Sequence, residues 1–82
     1  MEINDALTAF AALSQPTRLN AFRLLIQAGP NGLAAGEISD ALHVRQNTLS
    51  ANLSVLLGAG LVRNERQGRS IRYFADMDGL RG

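Results

Sequence analysis

Residues 45–61 read RQNTLSANLSVLLGAGL, and helical spacing sorts them into two kinds of side chain. Leu49, Leu53, Leu56 and Leu57 recur at steps of four, three and one, which stacks them on one apolar stripe. Gln46, Asn47, Ser50, Ala51 and Ser54 fall on the other side, and no charged residue occurs between Gln46 and Gly60. A helix facing bulk water ordinarily carries Lys and Glu. A face of amides, hydroxyls and a small methyl instead matches the donor and acceptor pattern of base edges and permits close approach to a groove. An ordinary half-buried helix with short polar residues fits the same pattern, so the flanking segments have to decide.

Upstream, residues 34–42 predict a short helix, with Ile38, Ala41 and Leu42 inward and Glu37 and Asp40 toward water. Glu37 lies near its start, where negative charge is favourable. The turn His43-Val44-Arg45 leads into the organising helix. Two helices joined by so short a turn, the second with a polar face, have the form of a helix-turn-helix. Downstream of Gly58-Ala59-Gly60 the period changes from helical to alternating. Residues 61–66 and 70–75 predict two strands, and Gln67-Gly68-Arg69 a tight turn with glycine available for positive φ. Ile71, Tyr73 and Ala75 alternate onto one face. Arg66 and Arg69, with Arg72 close by, lie at the tip of this hairpin.

Two more helices precede these elements. Asn4 or Asp5 is placed to cap a first helix running to about Leu13, with Ile3, Leu7, Phe10 and Leu13 as its apolar residues and alanines between them. It reads as a core-packing helix, or as one that also packs against a second subunit. Pro16 suits the first turn of a second helix, over residues 16–28, because its missing N–H is not needed there. Leu19, Phe22, Leu24, Leu25 and Ile26 give this helix a wide apolar face, and Gly29-Pro30-Asn31-Gly32 ends it. Residues 1–82 thus read as a single domain, mainly α with a two-stranded β-hairpin.

Composition narrows the function. Hydrophobic residues make up 46% of the 82 and charged residues 18%, which is compatible with a folded core and argues against disorder. There is no cysteine, hence no disulfide, thiolate metal site or thiol nucleophile in this sequence. No apolar run approaches the ~20 residues of a membrane span, so no membrane partner is expected. The net charge of +1 hides an asymmetry: residues 43–75 carry five arginines against Glu65, giving +4, while residues 1–42 carry −2 and the tail from Asp76 −1. All eight basic residues are arginine, whose fork binds phosphate and guanine edges through two bonds. The basic half is a candidate for a polyanion. With one histidine, no glycine-rich phosphate loop and no nucleophile–base–acid set, an enzyme is not expected.

The blocks LSQPTRLNAFRLL, GEISDAL, QNTLSANLSVLLGAGLV and RQGRSIRYF, taken together and in this spacing, resemble the ArsR/SmtB family of winged helix-turn-helix repressors. The resemblance covers residues 13–73. It implies a cytoplasmic, homodimeric transcriptional repressor on a two-fold double-stranded DNA operator, released by a metal, a metalloid or another small inducer. Position by position, it implies DNA contacts from Gln46, Asn47, Thr48, Ser50 and Ala51 on the reading helix. Asn52 stands where many relatives have histidine, and is carried over as a further DNA-binding candidate. Arg45 replaces a small hydroxyl cap and is expected to reach phosphate. Gly68 and Arg69 match the wing tip, with Arg66 beside it as a third cation.

The family's inducer sites do not carry over. Residues 33–42 offer only Glu37 and Asp40 where thiol sensors have cysteines, and Asp76 and Asp78 alone are a poor transition-metal cage. His43 lies in a turn, where a solvated or backbone-bonded role outweighs metal ligation. No cofactor is expected within these residues; a metal or metalloid inducer would draw on residues beyond Gly82. Asp78-Gly79-Leu80 resembles the beginning of the family's last helix, which with the first helix would pair two subunits. The alternative function is a winged-helix protein-interaction module without DNA binding.

Overall fold

Leucines and small residues at helical spacing, followed by an alternating arginine-rich segment, produce four helices and a small antiparallel sheet. The computed structural model describes residues 3–76. The helices are α1 (Ile3–Leu13), α2 (Pro16–Ala28), α3 (Ala35–Leu42) and α4 (Gln46–Gly58). The strands are β1 (Leu33–Ala34), β2 (Val62–Gln67) and β3 (Ser70–Ala75), in the order β1-β3-β2. The winged helix-turn-helix architecture expected above is present. The further helix expected from Asp78 onward lies outside the described residues.

Four local expectations need correction. Asn4 and Asp5 do not cap α1 from outside, because the helix already includes both. The stripe Ile3, Leu7 and Phe10 does not enter the core: these residues are 76%, 60% and 73% exposed, and Ala9 and Ala12 are buried instead. Alanines let α1 lie close to its neighbours, and the large side chains are left pointing away. The hairpin is not the whole sheet, since β1 pairs antiparallel with β3 through Leu33↔Tyr73 and Ala34↔Arg72. A two-residue strand has no periodicity to detect. Ala41, expected inward on α3, is exposed. In β3 the alternation of Ile71, Tyr73 and Ala75 holds, and the buried side chain is Phe74 between them; Ile71 is exposed and the other two are half-buried.

Phe74 is covered on the face opposite Tyr73 because the chain passes close by at Gly32. A Cβ at Gly32 would lie 2.5 Å from the Tyr73 carbonyl oxygen and 2.6 Å from the Phe74 ring, and Gly32 has φ +61°. Only glycine meets both demands. Arg72 secures the same junction, donating to the carbonyls of Asn31 and Gly32, each at 3.0 Å, and pairing with Glu37 at 3.6 Å.

The core joins all four helices to the root of the hairpin. Phe22 and Leu25 of α2, Ile38 of α3, and Leu49, Leu53 and Leu56 of α4 pack with Leu61 and Val62. Burial of such side chains is the main favourable term, roughly 1.5–3 kcal/mol each. The local starts are equally specific: the Gln15 side-chain oxygen accepts from the Arg18 N–H at 2.9 Å, and the Glu37 carboxylate reaches back to the Ala34 N–H at 2.9 Å. No described helix is long and apolar enough to cross a membrane.

Candidate nucleic-acid interface

The organising helix is held from its leucine side. Leu49, Leu53 and Leu56 are fully buried, which turns the other flank of α4 outward. Gln46, Asn47, Thr48, Ser50, Ala51 and Ser54 are all exposed, with none of the other described residues covering them. The turn that delivers this helix is tight. His43 adopts the left-handed conformation (φ 56°), and the Val44 N–H donates to the Ser39 carbonyl at 3.1 Å. Arg45 precedes the helix in an extended conformation and makes no side-chain cap. Asn47 folds its side-chain oxygen onto the Thr48 N–H at 2.9 Å. The Gln46 and Asn47 N–H groups are left without a partner among the described residues, beside an exposed guanidinium, a combination suited to phosphate.

Asn52 is corrected: it is not part of the outer face. Only 9% exposed, it donates through Nδ2 to the Thr48 carbonyl at 3.0 Å and accepts at Oδ1 from Arg18 at 3.2 Å. Its spacing already held the signal, because Leu49, Asn52, Leu53 and Leu56 recur at the steps of an inward stripe.

Arg18, which no local motif singles out, is the partner of Asn52. Its Nε donates to the Ala12 carbonyl at 2.6 Å and a terminal nitrogen donates to the Ala11 carbonyl at 3.4 Å. A cation in the first turn of a helix runs against the helix dipole, and that mismatch points to a partner elsewhere. Here the partner is the C-terminal end of α1.

The hairpin leaves the far end of α4. The Leu61 N–H donates to the Leu56 carbonyl at 3.1 Å, and the Asp76 N–H returns to the Leu61 carbonyl at 2.8 Å, so both strands are anchored at the root. The register runs from Val62↔Ala75 to Gln67↔Ser70, leaving Gly68-Arg69 as a two-residue loop. Gly68 has φ +64°, the glycine-first pattern of a type II′ turn, whose twist matches that of the strands.

The arginines divide by what they already hold. Arg63 pairs with Glu65 at 2.8 Å and lies over the Phe74 ring, 4.4 Å from its centroid. Arg72 faces the Gly32 junction, not the tip. Arg45, Arg66 and Arg69 are exposed and engage no hydrogen bond or ion pair among the described residues. Nor do the described residues bring together three or more His, Cys, Asp or Glu side chains in a metal-binding group.

Known proteins share this arrangement. A helix-turn-helix domain family matches residues 13–65. The chain is 37% identical over 62 residues to the HTH-type transcriptional repressor SmtB of Mycobacterium tuberculosis; the match takes in 76% of this chain but spans only 44% of that relative's length. It is 30% identical over 88 residues to the uncharacterized HTH-type transcriptional regulator YbzH of Bacillus subtilis, covering 93% of this chain and 88% of that one. Among solved structures, it is similar to a homodimeric winged helix-turn-helix DNA-binding domain from Mycobacterium bovis, described as a possible ArsR-family regulator. That match has a TM-score of 0.85 at 30% identity and covers 96% of this chain and 71% of that one. With the family spanning α2, α3, α4 and most of β2, and a relative matched over most of both lengths, the chain belongs to the ArsR/SmtB-type winged helix-turn-helix transcriptional regulators.

Proposed function

We propose that this chain is a sequence-specific DNA-binding repressor that acts as a homodimer and is released from its operator by a metal, a metalloid or another small inducer. The single observation carrying the DNA reading is the outward, uncharged, hydrogen-bonding flank of α4 beside three unengaged arginines. In this reading α4 enters the major groove, where Gln46, Asn47, Thr48, Ser50 and Ala51 meet base edges. Arg45 meets phosphate at the helix start, and Arg66 and Arg69 meet the neighbouring backbone or minor groove. The apolar stripe Ile3, Leu7 and Phe10 supports pairing of two subunits through α1, the M. bovis neighbour being described as homodimeric. Two reading helices would then address half-sites ~34 Å apart or a multiple of that. Inducer release is supported by the family resemblance, and its contacts are assigned to no described residue.

The test is an anisotropy titration of the chain against a duplex enriched from a random pool and against its scrambled counterpart, over a range of salt. Preference for the enriched duplex is expected. With three arginines in each of two subunits engaging phosphate, log K should fall against log salt with a slope of roughly −5. Equal and negligible binding to both duplexes at low salt would replace this reading with the protein-interaction module. Adding metals and small molecules to the complex, one at a time, tests release.

A further inference from the structure

Resting on that reading, we propose that Arg18 and Asn52 form a positioning pair that sets the angle of α4 against α1, and with it the separation of the two reading helices in a dimer. The Arg18 guanidinium uses three of its nitrogens at once. It donates to the Ala12 carbonyl at 2.6 Å, the Ala11 carbonyl at 3.4 Å and the Asn52 Oδ1 at 3.2 Å. A planar fork with three acceptors in fixed directions leaves little freedom of rotation. Asn52 passes the constraint on, since its Nδ2 donates to the carbonyl of Thr48, a residue of the exposed reading turn. Both ends of its amide are thereby committed. The last turn of α1, the first turn of α2 and the N-terminal half of α4 are tied at one point.

Such a pin is needed because the apolar contacts here do not supply one. The buried residues of α1 are Ala9 and Ala12, whose methyl groups have no depth to interlock, and its one larger core contact, Leu13, is only half-buried at the helix end. Hydrophobic burial is non-directional, whereas a hydrogen-bonded pair fixes orientation. The same α1 carries the exposed stripe of Ile3, Leu7 and Phe10 proposed as the subunit contact. A rotation of α1 relative to α4 would then change the distance between half-sites without altering any side chain that meets a base.

The test uses the whole chain and the variants Asn52→Ala, Arg18→Lys and Asn52→Asp, each checked for folding by thermal melt. Arg18→Lys keeps the charge but loses the fork; Asn52→Asp keeps an acceptor facing Arg18. The probes are the duplex enriched by the parent chain, the same duplex with one or two base pairs inserted between half-sites, and a single half-site. The parent should lose about tenfold in affinity on insertion, while Asn52→Ala and Arg18→Lys should lose less than about threefold, with single-half-site binding held within about twofold. Asn52→Asp, which keeps the acceptor for Arg18 but loses the Nδ2 donor to the Thr48 carbonyl, should recover only part of the spacing preference. In parallel, residual dipolar couplings of the free proteins should show α1 and α4 reoriented by at least about 10° in the first two variants. Folded variants with the parent's helix angle and spacing preference overturn the proposal. If the parent enriches no sequence, the repressor reading fails, and the dipolar couplings still decide whether the pair positions α4.

Discussion

Gln46 and Ser50 are one helical turn apart on the exposed side of α4, and neither has a side-chain hydrogen-bond partner among the described residues. Their replacement by alanine removes base-edge donors and acceptors and leaves the core untouched. Gln46→Ala and Ser50→Ala should each reduce discrimination between enriched and scrambled duplex by about 1–3 kcal/mol, read from paired anisotropy titrations. Equal losses on the two duplexes would mean that these residues are not readers. Gly32 is the opposite case, a residue whose importance is steric. Its positive φ and the Tyr73 carbonyl 2.5 Å from an added Cβ predict that Gly32→Ala destabilises the fold by about 1–3 kcal/mol in urea denaturation. A midpoint equal to the parent's would show that β3 yields locally at little cost.

The β2–β3 hairpin, unlike α4, contributes charge and not pattern. Its root is pinned by Leu61, Val62 and Phe74, while Arg66 and Arg69 at the far end remain exposed. Arg69→Ala should weaken binding to all duplexes alike and flatten the salt slope by up to about one unit, with selectivity retained. A variant with the parent's affinity and slope would remove the wing from the interface. Arg63 and Arg72 lie on the same two strands but are already spent on Glu65, Phe74, Glu37 and the Asn31–Gly32 carbonyls. Counting arginines in this element therefore overstates the charge it offers to a duplex.

Among the described residues, the most exposed large apolar side chains, Ile3, Leu7 and Phe10, all lie on α1, whose buried residues are alanines. Exposed positions in a monomer tolerate charge, with stability usually changing by no more than about 0.5 kcal/mol. Leu7→Glu and Phe10→Glu should thus leave the subunit folded but abolish self-association, as measured by sedimentation equilibrium, and lower affinity for a two-half-site duplex far more than for a single half-site. An unchanged mass, dimeric or monomeric, would take the subunit contact away from α1. Placing the stripe outside also separates the roles of the two ends of the chain's helical layer. Leucines of α4 hold the subunit together, and the stripe of α1 stays exposed, where the proposed subunit contact would use it.

Periodicity alone carried a large part of this. The leucine stripe of α4, its uncharged flank, the short turn before it, the glycine-bearing hairpin and the excess of arginine downstream are all properties of local order, and local spacing dictates them. Which apolar stripe would be buried was another matter. Ile3, Leu7 and Phe10 have the same spacing as a core stripe, and only the close approach permitted by Ala9 and Ala12 turned them outward. Asn52 looked like a neighbour of the readers until Arg18, 34 positions away, claimed its oxygen. The brief β1 pairing, the burial of Phe74 against Gly32 and the diversion of Arg72 from the wing tip likewise depend on residues about 40 positions apart in the chain. Such contacts have no period, so they exist only once the elements have packed.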